Sequence, residues 1–352
     1  MSSMPGRRSV LRAAAGGLAA LAAIRAARAE QPAPSAPVRE IFLAHTQKQN
    51  SASNPTAAMA AEFKRQVEGL TEGRLKVGIF PAGQLGGNRE IARLIGRNVV
   101  QTGFATIGGV APAYPPLAIT QIPFVPASAE AAQAVYDGPF GTMLAEGLER
   151  RTGMMVLGYG DGGGLSVVTN SRRPIRTPED MRGLKIRVIP GFKSQETMVG
   201  ALGAVPVAIS SREELAALSA GVADGQMNTP QVILSSRFDE VQKYVTLTDH
   251  LYSPLIWLFN RQCFDSLSAE EQQAVRRAAD AALTVGRALA RSIENSERGL
   301  PALFRRMAAT RLSAEERDAF RRAAQPAVIR EVSLDLDDEG RLLLAEFLRP
   351  QA

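Results

Sequence analysis

The stretch of sequence that decides the fold reads GLKIRVIPGFKSQETMVGALGAVPVAISSREELAALSAGVADGQMNTP and covers residues 183–230. It opens with a short strand at 185–188 and closes with a polar strand and turn at 224–230. Two helical patterns lie between these strands, and the apolar segment 205–207 separates them. Strands that alternate with helices over this length predict a parallel α/β layer.

Arg187 and Asn228 lie near the carboxyl ends of the outer strands of this stretch. Ligands of open α/β sheets bind outside these ends, so we expect the two side chains to converge on one point. An arginine can hold a carboxylate through two parallel hydrogen bonds, and an asparagine adds a neutral donor and acceptor. The alternative for Arg187 is a surface arginine at the end of a strand.

The first 29 residues have the pattern of a secretory signal. They contain five arginines and no acid, and an uncharged Ala/Gly-rich run at 13–24 precedes the small-residue motif at 27–29. This order predicts a signal peptide over 1–29 that is cleaved after Ala29, and the pair Arg7-Arg8 favours the twin-arginine route. The run is too short to span a bilayer comfortably, which argues against the alternative of an uncleaved anchor.

The rest of the chain is close to neutral. Of the 41 basic residues, 36 (41 − 5) follow the leader, against 35 acidic residues. A nucleic-acid-binding protein needs a basic face, so no nucleic-acid partner is expected. Cys263 is the single cysteine, which excludes an intramolecular disulfide.

The 323 residues after the leader (352 − 29) predict two lobes rather than one core. A βαβαβ pattern over 39–106 is typical of a doubly wound sheet. The glycine cluster 162–164 and the segment near Leu251 are the predicted crossings between the lobes. We expect lobe I to comprise residues 30–161 and about 253–295, and lobe II to comprise residues 162–252 and about 296–352.

A long helix should begin at Ser268, where Ser-Ala-Glu-Glu forms a capping-box pattern. Unbroken to Arg298 it would be about 45 Å long, which is enough to run across two lobes. Pro301 should kink it or end it.

Enzyme classes are poorly supported by the sequence. The chain has two histidines far apart, His45 and His250, and it lacks metalloprotease, serine-hydrolase and Walker motifs. No cluster of metal ligands stands out, so neither a metal nor a cofactor is expected. His45 ends the first strand and is a candidate to face a ligand, although a structural polar residue is the more common role of such a histidine.

Six short motifs lie at residues 81–90, 122–124, 169–175, 178–188, 224–228 and 238–244. Each motif is short, but their order and spacing together are specific. Together they resemble the motifs of the solute-binding proteins of TRAP (tripartite ATP-independent periplasmic) transporters, the DctP-like family.

The resemblance implies an α/β fold of two lobes with a hinge and a long helix that spans both. It implies a periplasmic protein, not an enzyme, that captures a small organic acid and delivers it to the membrane permease of a TRAP transporter. It also implies that Arg187 is the arginine that clamps the carboxylate and that Asn228 is the pocket asparagine. Some members of the family dimerise, so a monomer and a homodimer both stay open.

The chain departs from the family at several positions. Ser166 stands where many members carry a second arginine, and Ser211 lies where an aromatic residue often lines the pocket. One arginine favours a monocarboxylate, or a dicarboxylate whose other end is held by neutral groups. The full predicted ligand-binding set is Arg187, Asn228, Ser166, His45, Gln226, Ser211, Phe192 and Trp257.

Within this set, Phe192 and Trp257 would supply an apolar wall, and a place in the hydrophobic core is the alternative for each. Two alternative functions also stay open. One is the soluble binding component of an ATP-driven or tricarboxylate importer, and the other is an exported enzyme that acts on a carboxylate.

Overall fold

The computed structural model describes residues 38–349. The predicted signal peptide, residues 1–29, lies outside the described residues. Within residues 38–349, no helix is both long enough and apolar enough to cross a membrane.

Residues 38–349 form eleven strands and thirteen α-helices. The strands are β1 (Arg39–Ala44), β2 (Leu75–Phe80), β3 (Thr102–Thr106), β4 (Met154–Gly160), β5 (Val167–Asn170), β6 (Lys185–Val188), β7 (Val205–Ala208), β8 (Gly225–Asn228), β9 (Tyr244–Leu247), β10 (Leu255–Asn260) and β11 (Ala308–Arg311). The α-helices are α1 (Pro55–Leu70), α2 (Asn88–Gly96), α3 (Ile107–Val110), α4 (Ala129–Asp137), α5 (Pro139–Thr152), α6 (Lys193–Ala201), α7 (Glu214–Ser219), α8 (Pro230–Ser235), α9 (Arg261–Asp265), α10 (Ala269–Glu294), α11 (Leu300–Arg306), α12 (Ala314–Ser333) and α13 (Asp338–Phe347). Short 3₁₀ helices cover Pro115–Gln121, Pro178–Met181 and Phe238–Glu240.

Two mixed sheets organise these elements. The first sheet has the order β2-β1-β3-β10-β4, in which β1 and β3 are parallel and β10 runs antiparallel to both of its neighbours. The second has the order β11-β9-β5-β8-β6-β7. Two separate sheets with helices around them confirm the predicted two-lobe α/β class. The exact lobe boundaries given above stay a prediction.

The stretch 183–230 forms the parallel part of the second sheet. Strand β6 pairs in parallel with β7 on one side and with β8 on the other, which confirms the predicted parallel layer. Strand β5 is antiparallel to β8 and β9. Strand β11 extends the sheet in parallel with β9 and was not predicted, because its four residues, AATR, carry little strand pattern of their own.

Helix α10 begins as predicted and ends earlier than predicted. Ser268 Oγ accepts a hydrogen bond from the Glu271 backbone N–H, and the Glu271 carboxylate accepts one from the Ser268 N–H. The helix ends at Glu294 rather than near Arg298, which makes it about 39 Å long. A Cβ on Gly299 would overlap the Glu294 carbonyl, so the tight turn there depends on glycine.

The prediction for Pro301 was therefore wrong in its detail. Pro301 lies in the first turn of α11, where its missing N–H has no helical partner to lose. It helps to start the next helix instead of kinking the long one. Helix α10 packs on α1 and β4 beside the first sheet and also contacts α8 beside the second.

Two of the chain crossings between the sheets, from β4 to β5 and from β9 to β10, lie side by side. In the first, Asp161 Oδ1 accepts hydrogen bonds from the backbone N–H groups of Gly163 and Gly164, at 2.7 and 2.8 Å. In the second, Leu251 O accepts a bond from Ser166 N, and His250 N donates to Ser166 O. The two crossings thus pair with each other through their backbones, and Asp161 closes the turn of the first crossing.

The close approach of α10 to α1 generates a stability prediction. A Cβ on Gly286 would overlap Met59 Cγ, and Met59 is fully buried in the core. We expect Gly286→Ala to lower the free energy of unfolding by about 1–3 kcal/mol, because overpacking outweighs the gain in helix propensity. Denaturant unfolding followed by circular dichroism measures this change.

Gly69→Ala in α1 is the matched control. Apart from its chain neighbours and the backbone of its own helix, no heavy atom of the described residues lies within 4 Å of the position that its Cβ would take. This variant should be neutral or more stable by up to about 1 kcal/mol. Equal effects of the two substitutions would contradict the packing argument.

Candidate ligand-binding site

Arg187 lies in β6 with its side chain almost wholly out of water. Its Nε donates to Ile209 O at 2.9 Å, and its Nη2 donates to Ser211 Oγ at 3.1 Å. Its Nη1 lies 3.1 Å from Glu214 Oε2, and the two side chains are only 4% and 3% exposed. Arg187 is therefore a buried, ion-paired arginine, and the alternative of a surface arginine at a strand end was wrong.

Glu214 is the residue of this site that sequence reasoning missed. It is the first residue of α7 and lies four positions before Leu218, which is buried as well. An acid on the apolar stripe of a short helix was a signal that such a partner exists, although nothing in the sequence identifies Arg187 as that partner. The two residues meet because β6 and β7 are parallel neighbours and α7 follows β7, so the start of α7 lies at the sheet edge where β6 ends.

Asn228 joins the same cluster from β8. Its Nδ2 donates to Glu214 Oε1 at 3.3 Å and to Gln226 Oε1 at 2.6 Å. Gln226 is fully buried, and its Nε2 donates a hydrogen bond to Thr169 Oγ1 at 2.8 Å. Both N–H groups of the Asn228 amide are thus engaged, which leaves its carbonyl oxygen as the group that can meet a ligand.

The ion pair has a definite electrostatic character. Burial raises the pKa of Glu214 to about 7, although the positive charge of Arg187 acts in the opposite direction. Burial also lowers the pKa of Arg187, and Glu214 opposes this shift. An arginine keeps its proton in proteins, so Glu214 is the member of the pair that titrates near neutral pH.

The first sheet carries two of the predicted residues. His45 is buried at the end of β1, with its Nε2 2.8 Å from Gln49 Oε1, and burial lowers its pKa. Trp257 is fully buried between Phe63 and Phe104 and donates from Nε1 to Thr102 Oγ1 at 2.9 Å. The structure thus places Trp257 in the core, and no described hydrogen bond or ion pair joins it or His45 to the Arg187 cluster.

Ser166 and Phe192 lie at the boundary of the two sheets. Ser166 belongs to the paired crossings described above. Phe192 caps α6, and its ring lies so close to α3 that a Cβ on Gly108 would come within 2.8 Å of it. Among the predicted residues, the structure therefore brings together Arg187, Ser211, Asn228 and Gln226, and no described hydrogen bond or ion pair joins the other four to this cluster.

A cavity of about 270 Å³ lies beside Phe192 and does not include Arg187. Its wall is mostly apolar and carries Lys193 together with two acids, Glu331 and Asp335. With more acids than bases, this cavity suits an anion less well than the Arg187 cluster does, so we place the candidate site at Arg187. Among residues 38–349, no group of three or more His, Cys, Asp or Glu residues is arranged to hold a metal ion.

The buried pair yields a prediction on stability. Removing one partner leaves an uncompensated charge out of water. We therefore expect Arg187→Met to lower the free energy of unfolding by about 3–5 kcal/mol at pH 8. The cost should be smaller at pH 5.5, because below its pKa Glu214 takes up a proton and no longer needs a counter-charge. Chemical denaturation of the wild type and the variant at both pH values measures this loss of stability.

The double variant Arg187→Met/Glu214→Leu is the control, because it removes both charges at similar volume. We expect it to be more stable than Arg187→Met alone at pH 8. Effects of the two substitutions that add to within about 0.5 kcal/mol would show that the two charges do not interact.

A family profile matches most of the chain. Residues 45–333 match the family described as bacterial extracellular solute-binding protein, family 7, which is also named DctP.

Curated relatives carry the same kind of name. The chain is 33% identical to a solute-binding protein of Verminephrobacter eiseniae over 72% of this chain and 75% of that protein. It is 33% identical to the 2,3-diketo-L-gulonate-binding periplasmic protein YiaO of Escherichia coli over 61% of this chain and 65% of that protein. It is 29% identical to the C4-dicarboxylate-binding periplasmic protein DctP of Rhodobacter capsulatus over 71% of this chain and 73% of that protein.

The fold also matches solved structures. A TRAP periplasmic solute-binding protein from Sulfitobacter, solved with bound β-D-galacturonate, aligns with a TM-score of 0.77 and 26% identity over 88% of this chain and 99% of that chain. These matches confirm the resemblance predicted from the short motifs. The chain therefore belongs to family 7 of the bacterial extracellular solute-binding proteins, the family of the TRAP transporter binding proteins.

Proposed function

We propose that this protein captures a hydroxylated organic acid with one carboxylate and delivers it to the permease of a TRAP transporter. The observation that carries the proposal is the placement of Arg187. It is a buried guanidinium beside the end of a parallel strand, where α/β sheets bind ligands. Three of its five N–H groups are engaged, one on each nitrogen, so each terminal nitrogen retains one donor for a ligand carboxylate.

The hydroxyl requirement follows from Asn228. Because both of its N–H groups are used within the protein, its free carbonyl oxygen needs a donor from the ligand. A hydroxyl group close to the carboxylate satisfies this need. The galacturonate and 2,3-diketo-L-gulonate in the names of two relatives are both acids of this class, which supports a sugar acid or a related hydroxy acid as ligand.

Of the remaining predicted residues, Ser211 is best placed to contact the ligand, since it is exposed and already bonded to Arg187. Gln226 is proposed as the residue that orients Asn228. The proposed roles of Ser166, His45 and Phe192 in lining the space between the lobes, and of Trp257 behind that space, rest on the family resemblance.

We also propose that the protein works in the periplasm, after removal of residues 1–29, and that it performs no catalysis of its own. Its relatives are binding proteins, and their names support uptake rather than turnover. A TRAP permease is the proposed partner, and the lobes as bounded above are proposed to close around the acid.

Isothermal titration calorimetry on the purified protein tests the ligand class. We expect D-galacturonate or D-galactonate to bind at micromolar or lower concentrations, and the uncharged sugar D-galactose not to bind. Succinate tests the dicarboxylate alternative in the same series. Tight binding of D-galactose, or no binding of any acid, would contradict the proposal.

Arg187→Lys tests the role of the arginine. It keeps the positive charge that Glu214 needs but loses the planar fork that holds a carboxylate. We expect affinity for the bound acid to fall at least tenfold, with a circular dichroism spectrum like that of the wild type. An unchanged affinity would remove Arg187 from the site.

A further inference from the structure

We propose that Glu214 is a specificity-determining residue that neutralises Arg187 until a ligand arrives, and that capture of a carboxylate places one proton on Glu214. The inference rests on the proposed function, since it requires that the acid binds at Arg187. It adds a rule about the charge of the ligand that neither the family nor the relatives' names supply.

One positive and one negative charge lie next to each other inside the site. Arg187 and Glu214 are 3.1 Å apart and nearly unexposed, so together they form a neutral unit out of water. A ligand carboxylate that bonds to the remaining N–H groups of Arg187 shares one positive charge with Glu214. The site would then hold two negative charges and one positive charge, and a net buried charge is strongly unfavourable.

Only a proton can restore neutrality. The Arg187 guanidinium cannot give or take one, whereas burial has already raised the pKa of the Glu214 carboxyl to about 7. The ligand carboxylate brings a second negative charge close to Glu214, which raises that pKa further. The net charge of the site then stays zero, because the acid enters as its anion and one proton moves from solvent to a carboxylate oxygen of Glu214.

The charged neighbours of Glu214 are few. From β6 it faces Arg187, and from β8 it faces the uncharged Asn228. On its own turn, Arg212 and Glu213 are exposed, and Glu213 accepts a hydrogen bond from Ser210 at 2.7 Å. Among the described residues, Arg187 is the charge that acts on the Glu214 carboxyl, so the expected linkage belongs to one group.

Apolar side chains pack around the helix that carries Glu214. Helix α7 belongs to a cluster of buried side chains that excludes water from this end of the second sheet. The cluster includes Val167, Ile209, Leu218, Ala223, Ile233 and Phe238. Among the described residues, Arg187 is the cation of this cluster, and Glu214 already shares its charge. A dianion would therefore bring one more uncompensated negative charge than a monoanion, so we expect the site to favour monoanions.

Calorimetry across pH 5.5–8.5 tests the inference, with D-galacturonate, D-galactonate, glycolate and succinate as probes. D-Galacturonate, D-galactonate and glycolate stay ionised throughout this range, so any pH dependence of their binding comes from the protein. Succinate is compared at pH 7 and above, where both of its carboxyl groups are ionised. We expect the affinity of a bound monoacid to be flat below about pH 6 and to fall toward tenfold per pH unit above about pH 7. Between pH 7 and 8.5 the loss should be about 20-fold, and succinate should bind more weakly than the best monoacid.

Proton uptake gives the direct readout. Titrations at pH 8 in phosphate and in Tris, which differ in ionisation enthalpy, should yield close to one proton taken up per acid bound. Glu214→Gln should reduce this number to near zero, abolish the pH dependence and bind at least tenfold tighter than wild type at pH 8. Glu213→Gln, a neighbouring exposed acid, is the matched control and should keep both the uptake and the pH dependence.

The calorimetry results distinguish the role of Glu214 from the proposed function of the protein. If an acid binds without proton uptake and with affinity independent of pH, the role of Glu214 is wrong and the proposed function stands. If none of the acids binds at any pH, the proposed function fails and the role of Glu214 fails with it. The uptake measured on the wild-type protein decides the question even if Glu214→Gln does not fold.

Discussion

The burial of one positive charge is the constraint on which the second sheet and the candidate site both depend. Arg187 lies out of water, so each of its three nitrogen atoms needs a partner. The protein supplies a carbonyl from Ile209, a hydroxyl from Ser211 and a carboxylate from Glu214. All three partners follow β7, so the arginine ties the end of β6 to the segment that leads into α7.

This arrangement favours specificity over stability. The free energy needed to take two charges out of water is about as large as the free energy gained from their attraction. A buried ion pair therefore adds little to the stability of a fold. It is strong support for a binding site, because the free donors of the guanidinium are held in a fixed direction before a ligand arrives. The chain from Glu214 through Asn228 and Gln226 to Thr169 fixes the neighbouring acceptor as well.

The rest of the molecule holds this cluster in position. The first sheet has its own aromatic core around Trp257, and helix α10 packs closely on α1 at Gly286 while reaching α8 beside the second sheet. The two crossings that pair through Ser166 join the sheets with few residues. Binding proteins of this kind use such short connections as hinges, because a small number of backbone angles can then change without disturbing either core.

The sequence by itself determined the class of fold, the family, the parallel layer over 183–230 and the start of the long helix, and it led to the proposal of Arg187 and Asn228 as ligand-binding residues. These features depend on neighbouring residues: alternation, capping at Ser268 and motifs that stay in order along the chain. Tertiary structure alone decided the end of α10, the added strand β11 and the partnership of Arg187 with Glu214. Each of these features depends on contact between segments that are distant in the sequence. The role of Glu214, an acid on the apolar stripe of a short helix, is defined only when folding brings Arg187 to within 3.1 Å of it.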